Sequence, residues 1–217
     1  MPIAGPTLDF SFPWHDCMQP LASNYLAIER SVIECAYAGC KTIWVVCNDD
    51  MQPLIRSRLG DFVTDPQSLE KATFVKYPES HRRQIPIFYC PIHPKDRDRR
   101  DSFAWSGLHG ALSAFIASDK VSKWVHPNKY YVSFPYGVYD PTIIKNHRAK
   151  IASLDSFVLT YDGLSVSDGE YLGFTFDAET YKQCVYEAKQ ACSGGSKLIS
   201  VEKRWSSKHF TLDKIFN

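Results

Sequence analysis

The sequence predicts an α/β chain, one domain of 217 residues in which a mostly parallel, mixed sheet lies between two layers of helices. Three observations carry this. Strand-like apolar runs alternate with helical stripes through the first two thirds of the chain. The run KTIWVVC (41–47) is β-branched and apolar on both alternating faces, as in a strand covered on two sides. Beyond residue 155 the alternation breaks and two strand-like runs follow one another, which makes the sheet mixed.

Residues 1–4 form a short first strand that ends at Gly5. Residues 6–23 hold Pro6, Pro13 and Pro20 and read as a long loop. From Tyr25, the residues Tyr25, Ile28, Val32, Ile33 and Ala36 share one helical face, and Gly39 stops that helix. After the strand at 41–47 and the NDD turn (48–50) comes a short helix. Pro53 suits its first turn, Leu54, Ile55 and Leu59 give its apolar face, and Gly60 ends it. Residues 63–85 are polar and read as irregular. IPIFYCPI (85–92) is the next strand and HPKDRDRRD (93–101) a charged loop. Residues 105–118 make the clearest helix, with Leu108, Ala111, Leu112, Phe115 and Ile116 in one stripe. KYYVSF (129–134) is a strand, YGVYDP (136–141) a turn, and 142–151 a helix. SFVLTY (156–161) and EYLGFTF (170–176) are strands. Residues 178–192 form a last helix, stopped by SGGS (193–196), and KLISVEKRW (197–205) reads as an edge strand. Parallel strands linked through helices cross over right-handedly.

A chain of this length buries roughly 70% of its unfolded surface, so its core needs no staple. The net charge of +1 gives no strong field for nucleic acid or a membrane surface, so neither is expected as a partner. The seven cysteines (17, 35, 40, 47, 90, 184 and 192) show no C-x-x-C spacing and read as reduced thiols of a cytoplasmic protein. There is no signal peptide and no apolar run of membrane-spanning length.

In open α/β sheets, ligands sit beyond the carboxyl ends of the strands. That rule selects the loops 5–21, 48–50, 93–110 and 135–141. Ala4-Gly5 either lets a ligand approach the backbone closely or makes a tight turn. Lys95, Arg97, Arg99 and Arg100 suit phosphate, but Asp96, Asp98 and Asp101 between them favour local ion pairs. SGLHGAL (106–112) opens a helix with Gly107, His109 and Gly110, where free amides attract anions; close packing through small residues is the alternative. Asp140 either holds a magnesium–phosphate substrate or caps the following helix, and Asp49 and Asp50 share that ambiguity. There is no hydrolytic triad, no zinc spacing around His81 and His93, no Walker A loop and no G-x-G-x-x-G.

The motifs IAG (3–5), MQPL (18–21), AYAGC (36–40) and TIWVV (42–46) stand in the order found in the sugar-phosphate nucleotidyltransferases, and the chain resembles that family. SGLHGALSA (106–114) is similar to the family's helix start beside the nucleotide base and sugar. YYVSFPYGVYD (130–140) is similar to the strand ending at its metal-binding aspartate. The resemblance covers residues 1–177 as an architecture and is specific mainly over the first 50. It implies a three-layer Rossmann-like sandwich and magnesium-dependent transfer of an NMP from an NTP to a sugar phosphate or similar phosphorylated acceptor. It also implies nucleotide contacts at Ala4, Gly5, Gln19, Gly107 and His109, with Mg²⁺ at Asp140. The family's G-x-G-T-R loop is absent, since PTLDFSFPWHD (6–16) has no cation, and Gln19 stands where the family has lysine. Lys95, Arg97 or Arg99 would then supply the catalytic charge. Because such charges stabilise the transferring phosphoryl group, their loss also admits an inert binding or scaffold protein on the same fold. A third reading is a glycosyltransferase using a nucleotide sugar, with NDD and VYD (138–140) as loose metal motifs. Residues 178–217 either close the acceptor side or build a dimer contact.

Overall fold

The computed structural model describes residues 1–5, 12–71, 83–92, 94, 102–121 and 126–193. Among them no helix is long and apolar enough to cross a membrane.

A short 3₁₀ turn at Asp16–Met18 precedes a small antiparallel pair, β1 (Pro20–Ala22) and β2 (Tyr25–Leu26). Helix α1 (Ala27–Ala38) starts where Glu29 accepts a hydrogen bond from the Leu26 amide at 2.7 Å. It ends at Gly39, whose φ of 90° lets the chain turn back under the last carbonyls. Strand β3 (Ile43–Asn48), helix α2 (Gln52–Leu59), strand β4 (Phe62–Thr64), helix α3 (Pro66–Lys71) and strand β5 (Gln84–Ile92) follow.

β3 and β5 are parallel and in register from Ile43↔Ile87 to Asn48↔Ile92, while β4 runs antiparallel on the far side of β5. The first residues lie on the other edge of β3. Pro2 bridges Val46 in the parallel sense, and the amides of Ile3 and Ala4 both donate to the Val46 carbonyl. α1 and α2 cover one face, where Ile28, Val32, Val45, Ile55 and Ile85 form the first core.

Helix α4 (Phe103–Val121) covers the opposite face, beside Val46, Cys90 and Ile92. Strand β6 (Lys129–Val132), a 3₁₀ segment (Pro141–His147) running into α5 (Arg148–Ala152), strand β7 (Phe174–Asp177) and helix α6 (Ala178–Ser193) complete the described chain. β6 pairs antiparallel with β7, from Lys129↔Asp177 to Val132↔Phe174. A second core of Leu108, Val132, Phe134, Phe174, Phe176 and Cys184 fills the space between this pair and helices α4 and α6.

The molecule is therefore mixed α/β, with a three-stranded mixed sheet and a separate antiparallel pair. Several details differ from the periodicity reading: residues 1–4 make one bridge in place of a strand, Tyr25 lies in β2 ahead of α1, and the expected helix at 142–151 is largely 3₁₀, with only Arg148–Ala152 α-helical. Residues 63–85 hold β4 and α3; the buried Asp65 caps α3 through the Gln67 amide (3.0 Å) and also faces Arg83 and Arg148. The 156–161 segment contributes two isolated bridges, Val158↔Phe174 and Tyr161↔Leu164, rather than a full strand. Leu54 is 52% exposed, leaving Ile55 as the α2 anchor. On α4, Leu112 and Ile116 are exposed and the buried face is Ala104, Leu108, Ala111 and Ala114, because close approach to β3 selects small residues. The proposed edge strand at 197–205 lies outside the described residues.

Candidate functional site

The N-terminal segment, which makes a single bridge to β3 at Pro2↔Val46, meets the start of α4. Ala4 is buried; its amide is held by Val46, and its carbonyl accepts a hydrogen bond from the Ser106 hydroxyl. Gly110 lets the helix touch the strand, since a Cβ there would stand 2.9 Å from Val46 Cγ2. Gly107, one turn earlier, is different: a Cβ there would meet no atom within 4 Å.

Gly107 opens onto a cleft of about 630 Å³ between the two sheets. Pro2 and Val46 line one wall, and Tyr130 and Val132 of β6 the other. Ser106, Gly107, Gly110, Ala111, Ala114 and Ser118 form a face of small residues along α4. At the far side stand Cys35 and Cys40, around the end of α1. The rim is polar, with Lys41, Thr42, Asn128 and Lys129. Lys129 is already committed: its ammonium donates to the carbonyls of Ser153 (2.8 Å) and Asp155, and burial lowers its pKa.

Beside Gly5 the arrangement is closed. A Cβ on Gly5 would stand 2.6 Å from the Phe103 ring. That ring packs against Tyr136 (5.2 Å between centroids) and edge-on against Tyr171 (5.8 Å). The Tyr136 hydroxyl donates to the Ile3 carbonyl at 3.3 Å, and burial pushes its phenol well above its ordinary pKa. Nearby, His15 caps the Asp16–Met18 turn: its Nδ1 accepts from the Cys17 amide, which requires an unprotonated nitrogen. Burial lowers the His15 pKa in the same sense, against the pull of Asp16 and Asp50.

Of the residues singled out in the sequence, Ala4 is tied to α4 through Ser106, the neighbour of Gly107, and of Ala4 and Gly107 only Gly107 lines the cleft. The Gln19 carbonyl accepts from the Ala27 amide (2.9 Å) and its side-chain oxygen from Trp14 Nε1 (3.3 Å). His109 is half-buried, and its carbonyl accepts from the Ser113 hydroxyl. Asp140 does not line the cleft. It is exposed and caps the 3₁₀ segment, accepting from the Thr142 amide at 2.9 Å, which lowers its carboxyl pKa. Among the described residues no three His, Cys, Asp or Glu side chains converge on a metal position. Lys95, Arg97, Arg99 and Arg100 lie outside the described residues.

Two groupings were not anticipated. Arg30 and Glu34 are 1% and 0% exposed, paired at 2.8 Å on α1. Glu34 also accepts from Tyr131 (2.6 Å) and Ser133 (2.8 Å), and Arg30 donates to the Phe134 carbonyl (2.5 Å) and lies over the Tyr139 ring at 4.4 Å. The only sequence signal was an i,i+4 pair of opposite charge on an apolar helix. The second grouping is Cys35 and Cys40, brought onto one turn by the α1 cap, where the Cys40 amide donates to the Cys35 carbonyl at 3.2 Å and the Gly39 amide to that of Ala36 at 3.1 Å. Compared with protein-family models, with curated proteins and with solved structures, the chain matches none.

Proposed function

We propose that this chain is a divergent nucleotidyltransferase on a three-layer Rossmann-like sandwich, acting on an NTP and a small phosphorylated acceptor. The observation that carries the reading is the junction of the N-terminal segment with α4. There Ala4, Ser106 and Gly107 meet on the parallel edge of β3, and the open side of Gly107 leaves backbone bare to a cleft large enough for a ligand. In the family that the sequence resembles, these two segments flank the nucleotide. Magnesium enters as part of the substrate, the Mg–NTP complex. Phosphoryl transfer of this kind depends on positioning and charge neutralisation, for which the Lys95–Arg97 stretch is the cationic source in the sequence.

One observation favours a second reading, a nucleotide-binding protein without transferase activity. The aromatic ring of Phe103 fills the space beside Gly5, one of the positions that the resemblance assigns to the nucleotide, and Asp140 is engaged as a cap. Two measurements separate the readings. Exchange of labelled pyrophosphate into an NTP, with a panel of sugar phosphates, reports transfer. A thermal shift with Mg–NTP reports binding, and a ligand at a hundredfold its Kd stabilises by about 2.7 kcal/mol. Exchange with any nucleotide supports the transferase, and a shift without exchange supports the binding protein. Neither signal with any of the four common NTPs refutes both.

A further inference from the structure

We propose that Cys35 and Cys40 are a reactive dithiol pair that reduces small organic disulfides and closes to an intramolecular disulfide at the cleft wall. The inference is independent of the nucleotide reading. It starts from the end of α1. Gly39, in the left-handed conformation, folds the chain back so that the Cys40 amide donates to the Cys35 carbonyl at 3.2 Å. With the Gly39 amide donating to the Ala36 carbonyl as well, this is a helix-ending turn in which the side chains at the positions of Cys35 and Cys40 commonly meet. Both side chains line the 630 Å³ cleft, so a small reagent has a route to them.

The two sulfurs are not equivalent. Cys35 is buried and Cys40 partly exposed. The neighbouring Cys35 lowers the Cys40 pKa, with the Met1 ammonium and, less, the guanidinium of Arg148 assisting; burial and Glu34 act in the opposite direction. Arg148 is close, since its Nε lies 2.7 Å from where a Cβ of Gly39 would sit. The same neighbour relation, with burial, raises Cys35. Burial pushes Cys17 and Cys47 up to about 12 and Cys184 to about 11, so those thiols are inert near neutral pH. An accessible nucleophile beside a buried second thiol is the arrangement that two-step disulfide exchange requires.

The chemistry balances without a further reagent. The Cys40 thiolate attacks one sulfur of RSSR, the S–S bond breaks, and RS⁻ leaves and takes up a proton. Cys35 then loses its proton and attacks the Cys40 sulfur of the mixed disulfide, and a second RS⁻ departs and is protonated. The two cysteines are oxidised by two electrons and RSSR is reduced to two RSH.

The test uses the full chain and glutathione disulfide at neutral pH, followed by denaturation, alkylation of the remaining thiols and peptide mapping by mass spectrometry. The expected result is two fewer alkylated cysteines than the seven of the reduced chain, a Cys35–Cys40 linked peptide and no retained glutathione; dithiothreitol reverses all three. Cys35→Ser is expected to trap glutathione on Cys40, and Cys40→Ser to block the reaction. The wild-type map decides even if a variant fails to fold. Seven alkylated thiols after exposure, or a disulfide involving any other cysteine, overturns the proposal.

Discussion

Arg30 and Glu34 illustrate how much one side chain can hold. Both charges are removed from water, a cost that is offset only because each is neutralised by the other and further hydrogen-bonded. The partners come from across the molecule: Tyr131 belongs to β6, and Ser133 and Phe134 follow it, so the pair fastens α1 to the second sheet. Burial, with Glu34 beside it, raises the Tyr131 phenol pKa well above its ordinary value and keeps it a donor. Removing one charge strands the other. Arg30→Ala and Glu34→Ala are each expected to cost about 3–5 kcal/mol in urea denaturation, while Arg30→Met with Glu34→Leu recovers part of that loss. Losses below about 1 kcal/mol for both single variants would show that water reaches the pair. Gly173 belongs to the same site, because a Cβ there would stand 2.2 Å from the Tyr131 hydroxyl and 2.7 Å from Glu34 Oε1. Gly173→Ala therefore overpacks the network, at a cost of roughly 1–3 kcal/mol on the same urea curve.

At the scale of elements, local signals carried most of the architecture. Helix α6 shows such a signal at work: the Thr180 amide donates to Asp177 at 2.7 Å, an N-cap bond that lowers the Asp177 carboxyl pKa. A depressed folded pKa contributes stability that is present above the ordinary carboxylate range and lost as pH falls through the folded value. Asp177→Ala is expected to lose about 1 kcal/mol at neutral pH. The gap between variant and wild type should close in strong acid, as read by urea melts at the two pH values; a gap independent of pH would assign the cost to something other than the ionised cap. α1, β3, β5 and α4 were legible for the same reason, because their stripes, caps and β-branched runs are properties of contiguous residues. β4 and α3 were not, since β4 is a three-residue strand fixed by pairing with β5 some twenty residues on, and Asp65 at the start of α3 also meets Arg83 and Arg148, partners distant in sequence. The candidate site was legible only in part. The small residues of SGLHGAL were visible, but only the packing shows that Gly110 serves contact with Val46 while Gly107 faces open space. The cysteine pair escaped notice because a turn, rather than a C-x-x-C spacing, brings its thiols together.

For the molecule as a whole, the defining feature is the separation of β3 and its neighbours from the β6–β7 pair, with α4 lying along the cleft between them. A helix that faces a cleft with glycine loses stability, since glycine in a helix interior costs roughly 0.5–1 kcal/mol relative to alanine. At Gly110 the loss is explained by contact: Gly110→Ala pushes a methyl against Val46 and is expected to destabilise by about 1–3 kcal/mol. At Gly107 no contact explains it, because a methyl there meets nothing. Gly107→Ala should therefore raise the melting temperature, by up to about 2–4 °C for a chain of this size. If the bare backbone at 107 serves a nucleotide, the same variant must also shrink the thermal shift produced by Mg–NTP, because its methyl occupies the ligand's place. Stabilisation together with an undiminished ligand shift would separate Gly107 from binding and move the nucleotide elsewhere on the molecule. Destabilisation would mean that the cleft is narrower in solution than the fold describes. The pair of alanine variants thus sets the helix's packing against its proposed function, with opposite signs expected at positions three residues apart.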